Sequence, residues 1–375
     1  MKNILRIVLL VCALFLSTFS MSKNKESISD IEWSGIKTDI KLSFQELKKL
    51  NIYPSSIQAR QRYLTRLNTV INDFHYMNAS MAQKKQDINK SLSQHSKRKL
   101  DRLALAFMYF FNQQNRLGED YNSNLGANIF TDINNSSLVN DRISADRFNS
   151  GTEDLSVEIM DVKQLSMSDY QLFFDTSTHY ILLRQSDNKI VSSGMITALP
   201  QDIDIDGIKI NISRGEIIAK DRFTISPLTN AAGSIDLTIY DPQDLALGWP
   251  VMVNRNSGNT GIGSADIDLM LDTDNDTFSI KKQLNPPITI QFITPTSFIL
   301  INAKTNSVIE GPIHYDEVGA NVFPAPDGYD PGYRVLLSGS MQTGDMFDID
   351  YSSFGSSDIR NGISLEHLYY TIEAL

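Results

Sequence analysis

The sequence contains few of the residues from which metal and redox sites are built. Its 375 residues include one cysteine, Cys12, and five histidines. One cysteine excludes an intrachain disulfide, and no two histidines stand four residues apart, the spacing of a metal-binding pair on a helix. The two tryptophans, Trp33 and Trp249, are too isolated in the sequence to indicate an aromatic platform for a carbohydrate.

Catalytic fingerprints are also lacking. The glycines of residues 257–266 match neither a P-loop nor a dinucleotide-binding motif, and there is no nucleophile elbow. Residues 202–207 resemble the start of a calcium loop, but Ser213 occupies the twelfth position, where a bidentate glutamate is required. After the acidic run 272–276, Thr277 stands where such a loop needs glycine. The sequence therefore predicts no catalytic, cofactor-binding or metal-binding residue and a protein that is not an enzyme.

Positive charge is scarce as well. The formal net charge is -10, which argues against a nucleic-acid partner because a polyphosphate needs a basic face. One basic patch stands between two helical patterns, and it is either a nucleic-acid or membrane contact or a solvated helix face. The lack of interleaved aromatic residues favours the solvated face. The patch consists of Lys84, Lys85, Lys90, Lys97, Arg98, Lys99 and Arg102.

Residues 1–20 have the layout of a Sec signal peptide. Lys2 and Arg6 precede an apolar stretch at 7–16, and small polar residues follow it. This stretch is shorter than the roughly 20 residues that span a bilayer. The alternatives are an uncleaved anchor and an accidental start codon that precedes a truncated gene. Residues 21–42, which are polar and mixed, are predicted to form a linker.

Residues 43–117 carry helical patterns. A short helix is predicted at 42–50 and is broken by Pro54. Ser55 or Ser56 is predicted to cap the next helix, which is the first of two long helices. A second long helix is predicted over 97–114. Neither helix can bury its apolar stripe alone, so the two are predicted to pack on each other or on a missing partner. The stripe of the first long helix alternates spacings of four and three, as in a coiled-coil seam, at Tyr63, Leu67, Val70, Phe74, Met77 and Met81.

The fold class is predicted to be α+β, with a short helical hairpin followed by two similar all-β domains. Residues 118–152 have the composition of a loop-rich connection. Short runs of β-branched and aromatic residues then predict β domain 1 at 153–240 and β domain 2 at 241–354. Residues 355–375 are predicted to be a C-terminal tail.

The prediction of two β domains depends on an internal repeat. Residues 178–194 match residues 296–311, and residues 220–225 match residues 344–349. In both copies of the second match an aspartate stands two residues before a phenylalanine. Repetition of this kind predicts two similar units in series.

Several stretches share a further likeness. One runs from a Pro-Ser-Ser turn into an Ala-Arg-Gln helix start, at Pro54, Ser55, Ser56, Ala59, Arg60 and Gln61. Another leads from the end of a Leu-rich helix into a loop, at Phe111, Asn112, Gln114, Gly118, Asp120, Asn124, Leu125, Gly126 and Phe130. The β run at 168–246 and the closing run at 355–368 complete the set. In this order the stretches resemble the FlgK family of bacterial flagellar hook-associated proteins and cover most of the chain.

The resemblance implies a structural component of the bacterial flagellum at the hook–filament junction, with its helices in an inner layer and its β domains facing outward. It implies other flagellar axial proteins as partners, namely the hook protein and a second junction protein, and it implies self-association. It implies no nucleic acid, small-molecule substrate or cofactor.

The sequence departs from the family pattern at both ends. Family members begin and end with long amphipathic helices; here a signal-like segment stands first, and the chain is read as lacking both terminal helical segments. Export through Sec would place the protein in the periplasm or outside the cell by a route that flagellar axial proteins do not use. Two further hypotheses are therefore a degenerate, non-functional remnant and a secreted β-domain binding module repurposed from this family.

Overall fold

The computed structural model describes residues 30–84, 90–316, 321–324, 328–352 and 354–374. The signal-like segment at 1–20 lies outside these residues, so the Sec assignment stays a prediction. None of the helices in the described ranges is long and apolar enough to cross a membrane.

Four longer helices among the described residues form a bundle. They are α1 (Asp30–Ile52), α2 (Ile57–Lys84), α3 (Lys90–Arg116) and α6 (Arg360–Glu373). Two short helices, α4 (Ser136–Asp141) and α5 (Ala231–Ser234), lie between them in the chain. Helix α1 packs on α2 and α6, and α3 packs on α2, α5 and α6.

The predicted linker at 21–42 is wrong over its described part, because α1 begins at Asp30 and continues through the predicted short helix. Among the polar residues that suggested a linker, Ser34, Lys37 and Thr38 lie on the solvent side of this helix. Its buried side follows the helical period, because the spacings between its members are three or four residues. The buried residues are Ile36, Ile40, Phe44, Leu47 and Leu50.

The predicted start of α2 and its apolar stripe are confirmed. The Ser56 hydroxyl accepts a hydrogen bond from the Ala59 backbone N–H at 3.2 Å, which caps the helix. All six residues of the predicted stripe are buried. Phe74, in this stripe, contacts Phe107 of α3 with ring centroids 6.0 Å apart.

Two β units follow α3, and the described residues of each contain eight strands. The first β unit contains β1 (Ile143–Ala145), β2 (Asp154–Ile159), β3 (Tyr170–Thr176), β4 (His179–Arg184), β5 (Lys189–Met195), β6 (Gln201–Ile205), β7 (Ile208–Arg214) and β8 (Arg222–Ile225). The second β unit contains β9 (Val251–Arg255), β10 (Ser264–Met270), β11 (Ile288–Thr294), β12 (Ser297–Asn302), β13 (Val308–His314), β14 (Asn321–Phe323), β15 (Tyr333–Ser338) and β16 (Met346–Tyr351).

The two β units have the same topology. The first has a five-stranded sheet in the order β1-β8-β3-β4-β5 and a three-stranded sheet in the order β2-β7-β6. The second has β9-β16-β11-β12-β13 and β10-β15-β14, which is the same order when each strand number is raised by eight. The sequence repeat therefore corresponds to β4–β5 with β12–β13 and to β8 with β16.

The repeated aspartate has the same structural task in both units. Asp221 and Asp345 are 2% exposed and precede β8 and β16. The Asp221 carboxylate accepts hydrogen bonds from the backbone N–H groups of the loop after β1, including Gly151 at 2.7 Å. The Asp345 carboxylate does the same for the loop after β9, including Thr260 at 2.9 Å. A buried carboxylate needs such donors, which explains why the sequence repeats it.

A glycine turn is repeated as well. Gly207 and Gly332 join the last two strands of each three-stranded sheet with φ angles of 76° and 80°. A Cβ atom on either glycine would lie 2.2 Å from the Asp161 carbonyl oxygen or 2.1 Å from the Asp272 carbonyl oxygen. Both the positive φ and the close backbone contact require glycine.

The hydrophobic cores divide the molecule differently from the predicted domains. One core joins the helices to the first β unit and extends to Leu247, and a second core begins at Trp249 and fills the second β unit. The predicted division between a helical segment and β domain 1 therefore does not separate two cores. The predicted tail at 355–375 contains α6, a helix of 14 residues that buries Leu365 and Ile372 in the first core.

Candidate functional site: the joint between the helices and the β units

Among the described residues, there is no group of three or more His, Cys, Asp or Glu side chains able to hold a metal ion. The most elaborate polar arrangement lies where the helices, the loop after α3 and the two β units meet. We call it the joint and define it as residues 112–130, 242–251 and 358–361 together with Arg60.

Asn112 connects the end of α3 to the following loop. Its side-chain oxygen accepts hydrogen bonds from the backbone N–H groups of Ile129 at 2.9 Å and Phe130 at 2.8 Å. Its side-chain nitrogen donates to the Phe130 carbonyl at 3.0 Å. Asn112 is buried, and these bonds satisfy backbone groups that would otherwise be buried without partners.

Asn115 extends the connection to the segment between the β units. Its oxygen accepts a hydrogen bond from the Ala246 backbone N–H at 3.0 Å, and its nitrogen donates to the Ala127 carbonyl at 2.7 Å. One buried amide therefore holds the helix end, the loop and the inter-unit segment together.

The loop itself is closed by Asp120 and fastened by Glu119. The Asp120 carboxylate accepts hydrogen bonds from the backbone N–H groups of Asn122 at 2.7 Å and Asn124 at 2.8 Å. The Glu119 backbone N–H donates to the Gly248 carbonyl at 2.9 Å, and the Gly248 N–H donates to the Glu119 carbonyl at 3.3 Å. Both backbone bonds of this pair fasten the loop to the inter-unit segment.

Arg60 brings α2 into the joint. Its guanidinium donates to the Pro54 carbonyl and to the Leu245 carbonyl, each at 2.7 Å, and it lies 5.4 Å from the centre of the Tyr121 ring. Arg60 is 1% exposed, and burial lowers its pKa to about 10. The side chain therefore still carries its charge at neutral pH, where carbonyl oxygens and an aromatic face stabilise it.

Asn361 attaches α6 to the same place. Its nitrogen donates to the Gln114 carbonyl at 3.0 Å and to the Ala246 carbonyl at 2.6 Å. Its oxygen accepts a hydrogen bond from the Gln114 side chain at 2.7 Å. Asn361 is fully buried, so α3, α6 and the inter-unit segment meet around one amide.

Asp358 and Arg360 hold the beginning and the end of the second β unit together. The Asp358 carboxylate accepts a hydrogen bond from the Trp249 backbone N–H at 3.0 Å and is paired with Arg360 at 2.7 Å. The Arg360 guanidinium also donates to the Val251 carbonyl at 3.0 Å and lies 5.1 Å from the centre of the Trp249 ring. The strand that begins the unit is therefore bonded to the residues that follow its last strand.

Glu119 is the titratable group of the joint whose charge changes near neutral pH. It is 1% exposed, and burial raises its pKa to about 7, with the nearby carboxylates of Asp358 and Asp120 adding to the shift. Ser352 and Arg360 act in the opposite direction. Near neutral pH the joint therefore contains a carboxyl group that changes its charge.

The structure brings together family-like residues that are far apart in the sequence. Arg60, Asn112, Gln114, Asp120 and Asn124 all lie in the joint, and none was predicted to be a site residue. Family-like Phe130 packs there too, with its ring 5.8 Å from that of Phe107 and 5.7 Å from that of Phe111.

Sequence reasoning did not single out Asn115, Glu119, Asp358, Arg360 or Asn361 individually. The only signal was the polar composition of the two runs that contain them, which also fits an ordinary surface loop. The chemistry of the joint is hydrogen bonding and charge pairing between chain segments, which suits transmission of load between the helices and the β units.

Two family models match the chain. The model described as "Flagellar hook-associated protein FlgK helical domain" matches residues 21–98, and that described as "Flagellar hook-associated protein 1, D2-like domain" matches residues 144–227. Flagellar hook-associated protein 1 of Salmonella typhimurium is 26% identical over 148 residues, which is 40% of this chain and 25% of that protein. The Escherichia coli protein of the same name is 25% identical over 151 residues, with the same coverage. The matched region is thus a quarter of the length of these relatives.

The fold has a counterpart among solved structures. The flagellar hook junction protein FlgK from Burkholderia pseudomallei superposes with a TM-score of 0.70 and 18% sequence identity, covering 89% of this chain and 84% of that chain. At this identity the likeness shows a shared fold.

Proposed function

From a chain that is FlgK-like in its domain matches and in its fold, we propose a structural function as a hook-associated protein at the hook–filament junction of the bacterial flagellum. The observation that carries the proposal is the order of the matches, because a helical domain and a D2-like domain of one protein follow each other here within a fold that spans both. Fold alone does not imply function, so the paired sequence matches supply the functional argument.

The proposed mechanism is packing. The helices form an inner layer against neighbouring axial proteins, and the β units face outward. The joint carries force between them, since its buried amides and charges bind both parts. The proposed partners are the hook protein, a second junction protein and further copies of this chain.

Exposed apolar residues on the helices support the proposed inner layer. Ile52 and Tyr53, at the end of α1, are 64% and 65% exposed, and Tyr76 on α2 is 67% exposed. Such residues are frequent contact points in protein interfaces, tyrosine above all.

Localisation tests the proposal. An antibody against the β units is applied to sheared flagella, periplasm and culture medium of the native cell, and the expected signal is in the flagellar fraction. Signal confined to periplasm or medium would contradict the proposal and favour a secreted binding module. A strain lacking the gene provides the control for antibody specificity.

We also propose that the protein has no enzymatic activity and no bound cofactor. The expected result of native mass spectrometry is the mass of the polypeptide alone. A stoichiometric metal or nucleotide would count against a purely structural function.

A further inference from the structure

The outer faces of the two five-stranded sheets are more apolar than a solvated sheet needs. On β4, Tyr180 and Leu182 are buried, whereas Ile181 and Leu183 alternate with them and are partly exposed. Successive side chains of a strand point to opposite faces, so Ile181 and Leu183 lie on the outer face. An antiparallel sheet with one face in water normally carries polar residues there.

The second β unit repeats this feature at equivalent positions. On β12, Phe298 and Leu300 are buried, and Ile299 and Ile301 are partly exposed on the outer face. The edge strand beside each of these strands adds an apolar residue. Ile190 lies opposite Leu183 and is 55% exposed, and Val308 lies opposite Ile301 and is 58% exposed.

The three-stranded sheets provide an internal comparison. In the first β unit, Asp202 and Asp204 are exposed on β6, and their paired neighbours on β7 are Asn211 and Lys209. This sheet has the polar outer face expected of a solvated surface. In the first β unit, the apolar outer face is thus a property of the five-stranded sheet and not of the three-stranded one.

The two apolar faces differ in charge at equivalent positions. The first β unit has Arg222 on β8 where the second has Met346 on β16, and it has Thr224 where the second has Asp348. The Arg222 guanidinium lies 5.0 Å from the centre of the Phe173 ring. A second arginine, Arg147, lines the groove of 460 Å³ that Arg222 also lines.

The face of the second β unit is acidic in the same region. Asp348 is partly exposed and accepts a hydrogen bond from the Thr289 hydroxyl at 2.7 Å, and Asp350 is exposed two residues further along β16. We define the unit-1 face as the outer side of β8, β3, β4 and β5, and the unit-2 face as the outer side of β16, β11, β12 and β13. The first is partly apolar and carries Arg222 on β8, with the acidic residues Asp146 and Asp175 near its margins, and the second is partly apolar and carries Asp348 and Asp350 on β16.

We propose that the unit-1 face of one copy of this chain binds the unit-2 face of another copy, head to tail. Apolar surface is available on both faces, and the charges at the same strand are opposite. Contact between unlike faces leaves one free face at each end of a dimer, so further copies can add in a ring or a row. This inference deepens the self-association included in the proposed function, on which it rests, by identifying the contact surface.

The available area limits the strength of the contact. The four strands of each defined face, spaced about 4.8 Å apart and each about six residues long at about 3.3 Å per residue, give a face of roughly 400 Å². Two such faces bury about 800 Å², below the roughly 1,200 Å² of stable specific interfaces and in the range of weak, transient ones. The contact is therefore expected to be weak in solution and to gain strength where many copies are held side by side.

Sedimentation velocity over a range of concentrations tests the proposal with the full chain. Leu183→Asp places a negative charge on the unit-1 face, and Ile301→Lys places a positive charge at the equivalent position of the unit-2 face. Each variant alone is expected to have at least a tenfold higher dissociation constant for self-association. A mixture of the two is expected to form dimers, because each retains the face that the other has lost.

Charge reversal provides a second test that leaves the apolar residues in place. Arg222→Asp and Asp348→Arg are each expected to weaken self-association, and the double variant is expected to regain it. Asn211→Asp, on the polar outer face of the first β unit, is the control and is expected to have no effect. Circular dichroism establishes that each variant is folded.

Three outcomes would overturn the proposal. They are a wild-type chain that stays monomeric at all concentrations, variants that associate as well as the wild type, and a mixture of Leu183→Asp with Ile301→Lys that stays monomeric although the wild type associates. Because these measurements use purified protein, their failure leaves the localisation result unaffected, and a failed localisation leaves the solution result unaffected.

Discussion

Near the end of α3 and at the start of α6, side-chain amides form hydrogen bonds with buried backbone groups that have no backbone partner. Asn112, Asn115 and Asn361 each bond to backbone groups of neighbouring segments. A truncated amide would leave these buried groups unpaired, which costs more than an ordinary hydrogen bond contributes. The rigidity of the joint therefore depends on single residues.

Glu119 makes the stability of the joint depend on pH. Burial raises its pKa to about 7, above the value of about 4.3 for an unfolded chain. The folded protein thus keeps a proton that the unfolded chain releases, so the free energy of unfolding falls as pH rises from about 4 to about 7 and then levels off. Glu119→Gln removes this component and is expected to be more stable than wild type at pH 8 by on the order of 2 kcal/mol.

Chemical denaturation of wild type and Glu119→Gln across this pH range measures the difference. Glu158→Gln, at an exposed position on β2, is the matched control and should follow the wild-type curve. Parallel curves for wild type and Glu119→Gln would show that Glu119 has no raised pKa in the folded protein.

The repeated aspartates offer a comparison within one chain. Asp345→Ala removes the acceptor of backbone hydrogen bonds from the loop after β9. Because those buried N–H groups lose a charged partner, the second β unit is expected to lose on the order of 3 kcal/mol of stability. Hydrogen exchange is the measurement, and faster exchange is expected in β9 and β16. Asp221→Ala should produce the same change in the first β unit, and equal effects of either variant on both units would contradict the assignment.

At the scale of elements, α1 is attached to the bundle by aromatic and aliphatic residues. Phe44 lies 5.6 Å from Phe111 and 5.2 Å from Tyr369, measured between ring centroids. These contacts join α1 to both α3 and α6. The helix is therefore part of the first core, although its sequence is polar enough to resemble a linker.

Phe44→Ala tests this packing. Removal of a fully packed phenylalanine side chain costs about 3–5 kcal/mol, so the first core is expected to unfold at markedly lower denaturant concentration. Gln45→Ala, at the neighbouring exposed position, should change the free energy of unfolding by less than about 0.5 kcal/mol. If the two variants were equally stable, α1 would not be packed on the bundle.

The β units were predictable from the sequence and the joint was not, for physical reasons. Strands such as β4 and β12 are short runs of β-branched, aromatic and other apolar residues, which is a local pattern, and the repeat of Asp221 in Asp345 marks the same position twice. In α1, by contrast, charged residues separate the buried residues from Ile36 to Leu50. The overall composition of this segment is therefore polar and does not reveal its helical period. Asn361 carries no local signal at all, because its importance comes from three segments that only the fold brings together.

At the scale of the whole molecule, the two hydrophobic cores adjoin at the segment between the β units. The first core ends at Leu247 and the second begins at Trp249. Asp358 and Arg360 follow the last strand of the second β unit and bond to Trp249 and Val251 at its beginning. The second β unit is therefore a module with its own core, whereas the first is continuous with the helices.

Arg360→Ala is expected to loosen the second β unit selectively. The substitution removes the pair with Asp358, the bond to the Val251 carbonyl and the contact with the Trp249 ring, and the expected loss is on the order of 2 kcal/mol because the hydrogen bonds involve charged groups. Hydrogen exchange resolves the two cores separately, and exchange should become faster in β9 and around residues 355–360 and stay unchanged in α2.

Arg334→Ala is the matched control for this variant, since it removes an ion pair with Asp268 on the outer side of the three-stranded sheet, away from the joint. A partly exposed pair of this kind contributes about 1 kcal/mol or less, so its exchange pattern should stay close to that of the wild type. If Arg360→Ala instead accelerated exchange equally in both cores, the two cores would unfold as one cooperative unit. The joint would then not be a separate attachment of the second β unit.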